Sequence, residues 1–135
     1  MSKVVIVTGS RIWHPEGVIW TALDYHRPTL LVHGACRGAD LMAQAWAITR
    51  EVDYLGMPAR WRSGGELDKG AGFARNQRML ERFPSALVLA FPAGKASGTK
   101  DCIRRGLELG RVVWVYGNAG VPVIHDPALR FPNLK

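Results

Sequence analysis

An α/β fold, with a mostly parallel sheet flanked by helices on both faces, is what this 135-residue sequence predicts. Three observations carry that expectation. Short apolar, β-branched runs alternate with segments of helical periodicity, the connections between them are short, and glycine-rich turns follow three of the runs. Strands buried on both faces of a parallel sheet read as continuous apolar runs, and these do.

Lys3 to Thr8 is rich in β-branched residues and stops at Gly9-Ser10, as a buried first strand does. Val18, Ile19, Ala22 and Leu23 then recur at helical spacing from about Pro15 to Tyr25, with Pro15 suited to a first turn. Thr29 to His33 is a second strand ended by Gly34. Leu41, Ala45 and Ile48 mark the apolar stripe of a helix from about Ala39 to Arg50, and Val52 to Met57 is a third strand closed by Pro58. Arg60 to Gly72 carries Trp61, Gly64, Gly65, Gly70 and Gly72 among charged residues without steady periodicity, and reads as a long binding loop. A helix from about Phe73 to Arg82, a strand at Ala86 to Ala90, a helix from about Gly98 to Leu109 and a strand at Arg111 to Tyr116 continue the alternation. Val121 to Ile124 adds a short last strand, and His125 to Lys135, with Pro127 and Pro132, reads as irregular. No repeat or linker divides the chain, so residues 1–135 are expected to form one Rossmann-like domain.

A hydrophobic content of 47% suffices for one core. The apolar runs fall far short of the roughly 20 residues that span a bilayer, and the N-terminus lacks a signal-peptide apolar region, so a soluble, cytoplasmic protein is expected. Cys36 and Cys102 lie far apart with no paired spacing and read as thiols in a reducing compartment. The net charge is +7, and arginine outnumbers lysine among the 18 basic residues. Arginine's planar fork suits phosphate and carboxylate, so the expected partner is anionic, whether a nucleotide or a nucleic acid.

Four segments fall at the carboxyl ends of the strands or just beyond, the edge where open α/β sheets take ligands: Gly9-Ser10-Arg11, His33 to Asp40, the segment running into Arg75-Asn76, and Pro92 to Thr99. Glycines there let backbone approach a ligand, and free N–H groups at a helix start favour an anion. The pattern predicts a phosphate-bearing small molecule. Gly9, Ser10, Gly34, Gly38, Pro92, Gly94, Gly98 and Thr99 shape the cradle, Arg11, Arg37 and Arg75 neutralise charge, and Asp40 or Asn76 touches a ribose. A surface ion pair is the plainer alternative for Arg75, and a favourable place at a helix's positive end is that for Asp40. No G-x-G-x-x-G follows the first strand and no G-K-[ST] triplet occurs, which argues against a nicotinamide dinucleotide site and a Walker-type loop. Neither a metal nor a cofactor is expected, because the histidines are scattered and no cysteine pair has ligand spacing. His33 and Cys36 read as a small thiol in a tight turn rather than as a base and nucleophile. Trp13 and Trp61 fall in ligand-edge loops and are candidate base-stacking rings; Trp20, Trp46 and Trp114 read as core.

Val5-Ile6-Val7-Thr8-Gly9-Ser10-Arg11, His33-Gly34-Ala35-Cys36-Arg37-Gly38-Ala39-Asp40, Gly70 to Leu80, and Phe91-Pro92-Ala93-Gly94 through Ser97-Gly98-Thr99 together resemble the YspA-like branch of the SLOG superfamily, in order and over most of residues 4–116. The resemblance implies a modified Rossmann fold, a nucleotide-like ligand at the glycine edge, and a homodimer. Its relatives include cytokinin-activating phosphoribohydrolases, a DNA-processing protein that loads a recombinase on single strands, and sensors of nucleotide-derived signals. The phosphoribohydrolases carry an Arg in a helix-opening motif ending in Met, matched by Arg75 and Met79, and a P-G-G-x-G-T-x-x-E motif whose last Glu is catalytic. Here Pro92-Ala93-Gly94 is followed by an insertion and then Gly98-Thr99-Lys100-Asp101-Cys102, so Cys102 occupies the Glu position. Asp101, one residue earlier, points about 100° away around a helix. Three functions stay open: a nucleotide binder or sensor, a phosphoribohydrolase acting on nucleoside monophosphates through Arg75 and Asp101, and a module for single-stranded nucleic acid.

Overall fold

Valine and isoleucine at positions 4 to 7 build the strand on which the fold is centred, β1 (Val4–Gly9), in a computed structural model that describes residues 2–63, 65–68 and 70–129. There follow α1 (Glu16–His26), β2 (Leu30–His33), α2 (Ala39–Arg50), β3 (Asp53–Gly56), a ribbon of β4 (Arg62–Ser63) and β5 (Glu66–Leu67), α3 (Ala71–Arg82), β6 (Leu87–Phe91), α4 (Ser97–Glu108), β7 (Val113–Tyr116) and β8 (Pro122–His125). The main sheet runs β3-β2-β1-β6-β7-β8, and among the described strands of that sheet β8 alone is antiparallel to its neighbour.

Strand residues alternate between two apolar layers, as the two-residue period of a strand requires. Val5, Val7, Leu31, Leu89 and Phe91 join the layer under α1 and α2, whereas Ile6, Val32 and Val88 join Met79, Leu80 and Cys102 of α3 and α4. Chain order in the sheet reverses between β1 and β6, where Gly9 lies opposite Phe91. A crevice opens outside the carboxyl ends of these two strands, at the switch point of the topology.

Three sequence expectations change. The buried stripe of α2 is Ala39, Asp40, Ala43, Trp46 and Ala47, while Leu41 and Ile48 are 45% and 56% exposed. Small inner side chains let α2 sit close to the sheet, and Trp46 supplies the bulk, its Nε1–H donating to Asp24 Oδ1 at 2.8 Å. The Arg60 to Gly72 connection holds the β4–β5 ribbon, and α3 starts at Ala71 rather than Phe73. Trp13 leaves the ligand edge for the core: it is 2% exposed, meets Phe91 edge-on at 5.4 Å and donates to the Pro15 carbonyl. In the tail, Pro127–Leu129 form a single 3-10 turn; residues 130–135, like Gly64, lie outside the described residues. Among those described, no helix is long and apolar enough to cross a membrane.

Candidate functional site

The crevice at the switch point is a cleft of about 440 Å³. The end of β1 and the turn after it, from Thr8 to Ile12, form one wall; Ala93 and the run from Lys95 to Thr99, including the first turn of α4, form the other. Cys36, Asp40 and Arg75 also line it, and Trp61, Gly72 and Phe73 stand at its lip. Seven of the residues selected from sequence, Gly9, Ser10, Arg11, Asp40, Arg75, Gly98 and Thr99, therefore come together on one cavity. Arg37, Pro92 and Gly94 do not line it, and Arg37 is exposed on its turn. Ile12, Lys95, Ser97 and Phe73 were missed by sequence reasoning, although each adjoins or lies within a glycine turn that it had picked out.

Gly34 and Gly38 act from behind the cleft. A Cβ at Gly34 would lie 2.3 Å from Arg75 Nη1, so the glycine makes room for the guanidinium. Gly38 has φ +80°, and a Cβ there would sit 2.5 Å from the carbonyl oxygens of Ser10 and Arg11. The Ala39 N–H donates to the Ser10 carbonyl at 3.2 Å, so the start of α2 is closed by the turn after β1. The start of α4 differs. Its cap, Ala96, has left-handed backbone (φ 48°) and no side-chain cap, and the first-turn amides of Ser97, Gly98 and Thr99 belong to residues lining the cleft.

Arg75 is 7% exposed and holds the far side together. Its Nη1 donates to the carbonyls of Gly34 and Met57, its Nε donates to Asn76 Oδ1 at 3.0 Å, and its Nη2 lies 4.0 Å from Cys36 Sγ. Asn76 Nδ2 in turn donates to the Gly98 carbonyl (3.0 Å) and to Asp101 Oδ2 (3.1 Å). Asp101 also accepts from Arg104 Nη2 at 2.9 Å and Arg105 Nε at 2.8 Å. This chain of bonds ties α3 to α4 beneath the cleft, which Asp101 does not line. Asp101 is thus placed as a bracing group rather than over the cavity. Cys102 is fully buried among α3, α4 and the sheet, and burial pushes its thiol up to about 12 against the pull of its hydrogen bond with Thr8.

Asp40 is 4% exposed. Its Oδ2 accepts from the N–H groups of Gly34 (3.1 Å) and Cys36 (3.2 Å), and its Oδ1 has no partner among the described residues. Burial drives the carboxyl up to about 7, opposed by the two amides and by the charges of Arg75 and Arg11. Both ring nitrogens of His33 are engaged by groups other than Cys36: Nδ1 accepts from the Ala35 N–H at 2.9 Å, which leaves Nε2 to donate to Gln44 Oε1, and burial lowers its pKa. The pair is an anchor for the turn.

A family model described as the YspA, cpYpsA-related SLOG family matches residues 3–64. Gene 61 protein of Mycobacterium phage D29 is 36% identical over 128 residues, which cover 90% of this chain and 94% of that protein. DNA processing protein A of Streptococcus pneumoniae, known from an X-ray structure, is similar with a TM-score of 0.67 and 18% identity. That match covers 85% of this chain and 50% of the other, so this chain spans half the length of that protein, and the likeness is one of fold.

Proposed function

This chain belongs to the YspA, cpYpsA-related SLOG family, and from that premise we propose that it binds a nucleotide or nucleotide-derived ligand in the cleft between β1 and β6. Family and fold suggest nucleotide or nucleic-acid-related binding in general. What carries the narrower reading is the meeting of separate ligand-type elements in one cavity: the uncapped start of α4, the cations Arg11 and Lys95, and the buried hydroxyl of Thr99. The ligand's phosphate takes the α4 amides, where an anion is favoured by both the orphan N–H groups and the helix dipole. Arg11 and Lys95 add charge from opposite walls. Arg75 and Asn76 hold the walls in register, and Asp40 lies on the side away from solvent.

Binding is favoured over N-glycosidic hydrolysis. Stabilising an oxocarbenium-like centre or activating water calls for a free carboxylate at the reacting atoms. Position 102 offers a buried thiol, and Asp101 is committed to Asn76, Arg104 and Arg105. Asp40, the carboxyl that does line the cleft, gives Oδ2 to the Gly34 and Cys36 amides and keeps Oδ1 buried, out of reach of a reacting atom.

Melting curves with nucleoside mono- and diphosphates, dinucleotides and cyclic nucleotides test the proposal. A ligand at a hundred times its Kd adds about 2.7 kcal/mol, or roughly 10 °C in Tm for a chain of this size. No shift with any of them at millimolar concentration refutes it. A single-stranded nucleic acid, the class that the net charge of +7 also favours, would instead show affinity falling steeply with salt in proportion to the phosphates engaged.

A further inference from the structure

The lip of the cleft has a feature that a phosphate cradle does not use. Trp61 sits at the base of the β4–β5 ribbon, where its carbonyl accepts from the Asp68 N–H at 2.6 Å and so fixes the backbone. Its ring reaches over the first turn of α3: a Cβ at Gly72 would lie 3.0 Å from Trp61 Cη2, so the glycine lets the indole pack tightly there. The residue is 38% exposed, and the Arg11 guanidinium lies over its ring, 5.5 Å from the centroid. Phe73, 40% exposed, and Ile12, 67% exposed, line the same cleft from two other segments. One exposed apolar side chain needs no explanation; three, from separate segments, around the mouth of one cavity call for one.

A planar cation resting on an indole marks a face open to flat, unsaturated groups. Nucleobases stack on the same kind of surface, and on guanidinium planes themselves. We propose that Trp61 is the nucleobase platform of this cleft, the base displacing the Arg11 guanidinium from the indole while Arg11 turns to the phosphate. The proposal rests on the nucleotide reading above and adds to it the residue that separates nucleotides from other phosphates. In the exchange Arg11 gives up a weak, exposed cation–π contact for charge-assisted hydrogen bonds, the stronger interaction. Every base has a π-face, so the platform selects a nucleotide over a sugar phosphate and discriminates little among bases.

Calorimetric titrations of the full chain with ribose 5-phosphate, 5′-AMP and 5′-CMP test this, using wild type, Trp61→Ala and Trp61→Phe, each checked by circular dichroism and melting. Wild type is expected to bind both nucleotides roughly tenfold or more tightly than ribose 5-phosphate. Trp61→Ala should erase that difference while leaving ribose 5-phosphate affinity within about twofold of wild type, and Trp61→Phe should keep most of it. Equal wild-type affinity for AMP and ribose 5-phosphate overturns the platform and leaves the phosphate cradle standing. A difference that survives in Trp61→Ala overturns it as well, and so does a Trp61→Ala that weakens all three ligands alike, which would make the ring a prop for the cleft. Binding of none of the three by wild type overturns the platform as stated, and the nucleotide reading falls with it only if the wider melting panel shows no shift either.

Discussion

Replacing Asp40 by asparagine isolates a buried proton. Asp40 has an ordinary pKa of 3.8 and reaches about 7 in the folded chain, where desolvation outweighs the Gly34 and Cys36 amides and the facing charges of Arg75 and Arg11. Because the folded value is the higher one, the contribution is present in full below pH 3.8 and is lost as pH rises through 7. At 1.36 kcal/mol per unit, the loss across that window is about 4 kcal/mol. The carboxamide of Asp40→Asn keeps an oxygen for the two amides and, like the protonated carboxyl it replaces, sets a donor at the unpartnered Oδ1, so the two neutral side chains start about level. Asp40→Asn should therefore match wild type near pH 4 and become the more stable protein by up to about 4 kcal/mol near pH 8. Urea unfolding of both proteins at half-unit intervals of pH gives the difference directly, since titrations shared by the two cancel. A stability difference that stays flat from pH 4.5 to 8 would refute the claim that the native state holds this proton.

Two glycines should answer oppositely to alanine. Gly38→Ala, with positive φ and two carbonyl oxygens at 2.5 Å, is expected to cost about 3 kcal/mol or more, a fall of roughly 10 °C in Tm. Gly98→Ala, where nothing lies within 4 Å of a Cβ, should raise stability by about 0.5–1 kcal/mol and yet weaken nucleotide binding, since the methyl group enters the cradle. Asp101→Asn should lower stability by about 1–3 kcal/mol, because its carboxylate serves three donors beneath the cleft; its affinity for nucleotide should change less than that of Arg11→Ala, measured by titration in parallel. A colorimetric thiol reagent should modify one cysteine rapidly in the native protein, the partly exposed Cys36, and reach Cys102 only on denaturation.

The sequence displayed the strand and helix order because buried parallel strands such as Val4 to Val7 and Leu87 to Ala90 are continuous apolar runs with a glycine turn a few residues beyond. It displayed the meeting of Gly9, Arg75 and Gly98 for a related reason: parallel strands bring their carboxyl ends to one edge whatever the loops do. The inner face of α2 was not legible. Ala39, Ala43 and Ala47 carry weak hydrophobic signal, and the stronger Leu41 and Ile48 happen to share a helical spacing on the outer face. Asp40 belongs to that inner stripe, which is why its burial was invisible while its position was not. Trp13 was misplaced because it lies two residues beyond a ligand-edge arginine, and what turns it inward, its packing on Phe91 and its bond to the Pro15 carbonyl, is set by the fold. A ribbon as short as β4–β5 leaves no periodicity to detect.

The crevice straddles a seam between two parts of the chain. Its one jaw follows β1 near the beginning, its other follows β6 well past the midpoint, and the segment matched by the family model, residues 3–64, contains only the first. A molecule seated there works as a rivet, opposing any breathing that parts one half of the sheet from the other. Amide exchange should then slow in strands on both flanks together, where a ligand gripped by one loop would shield that loop alone.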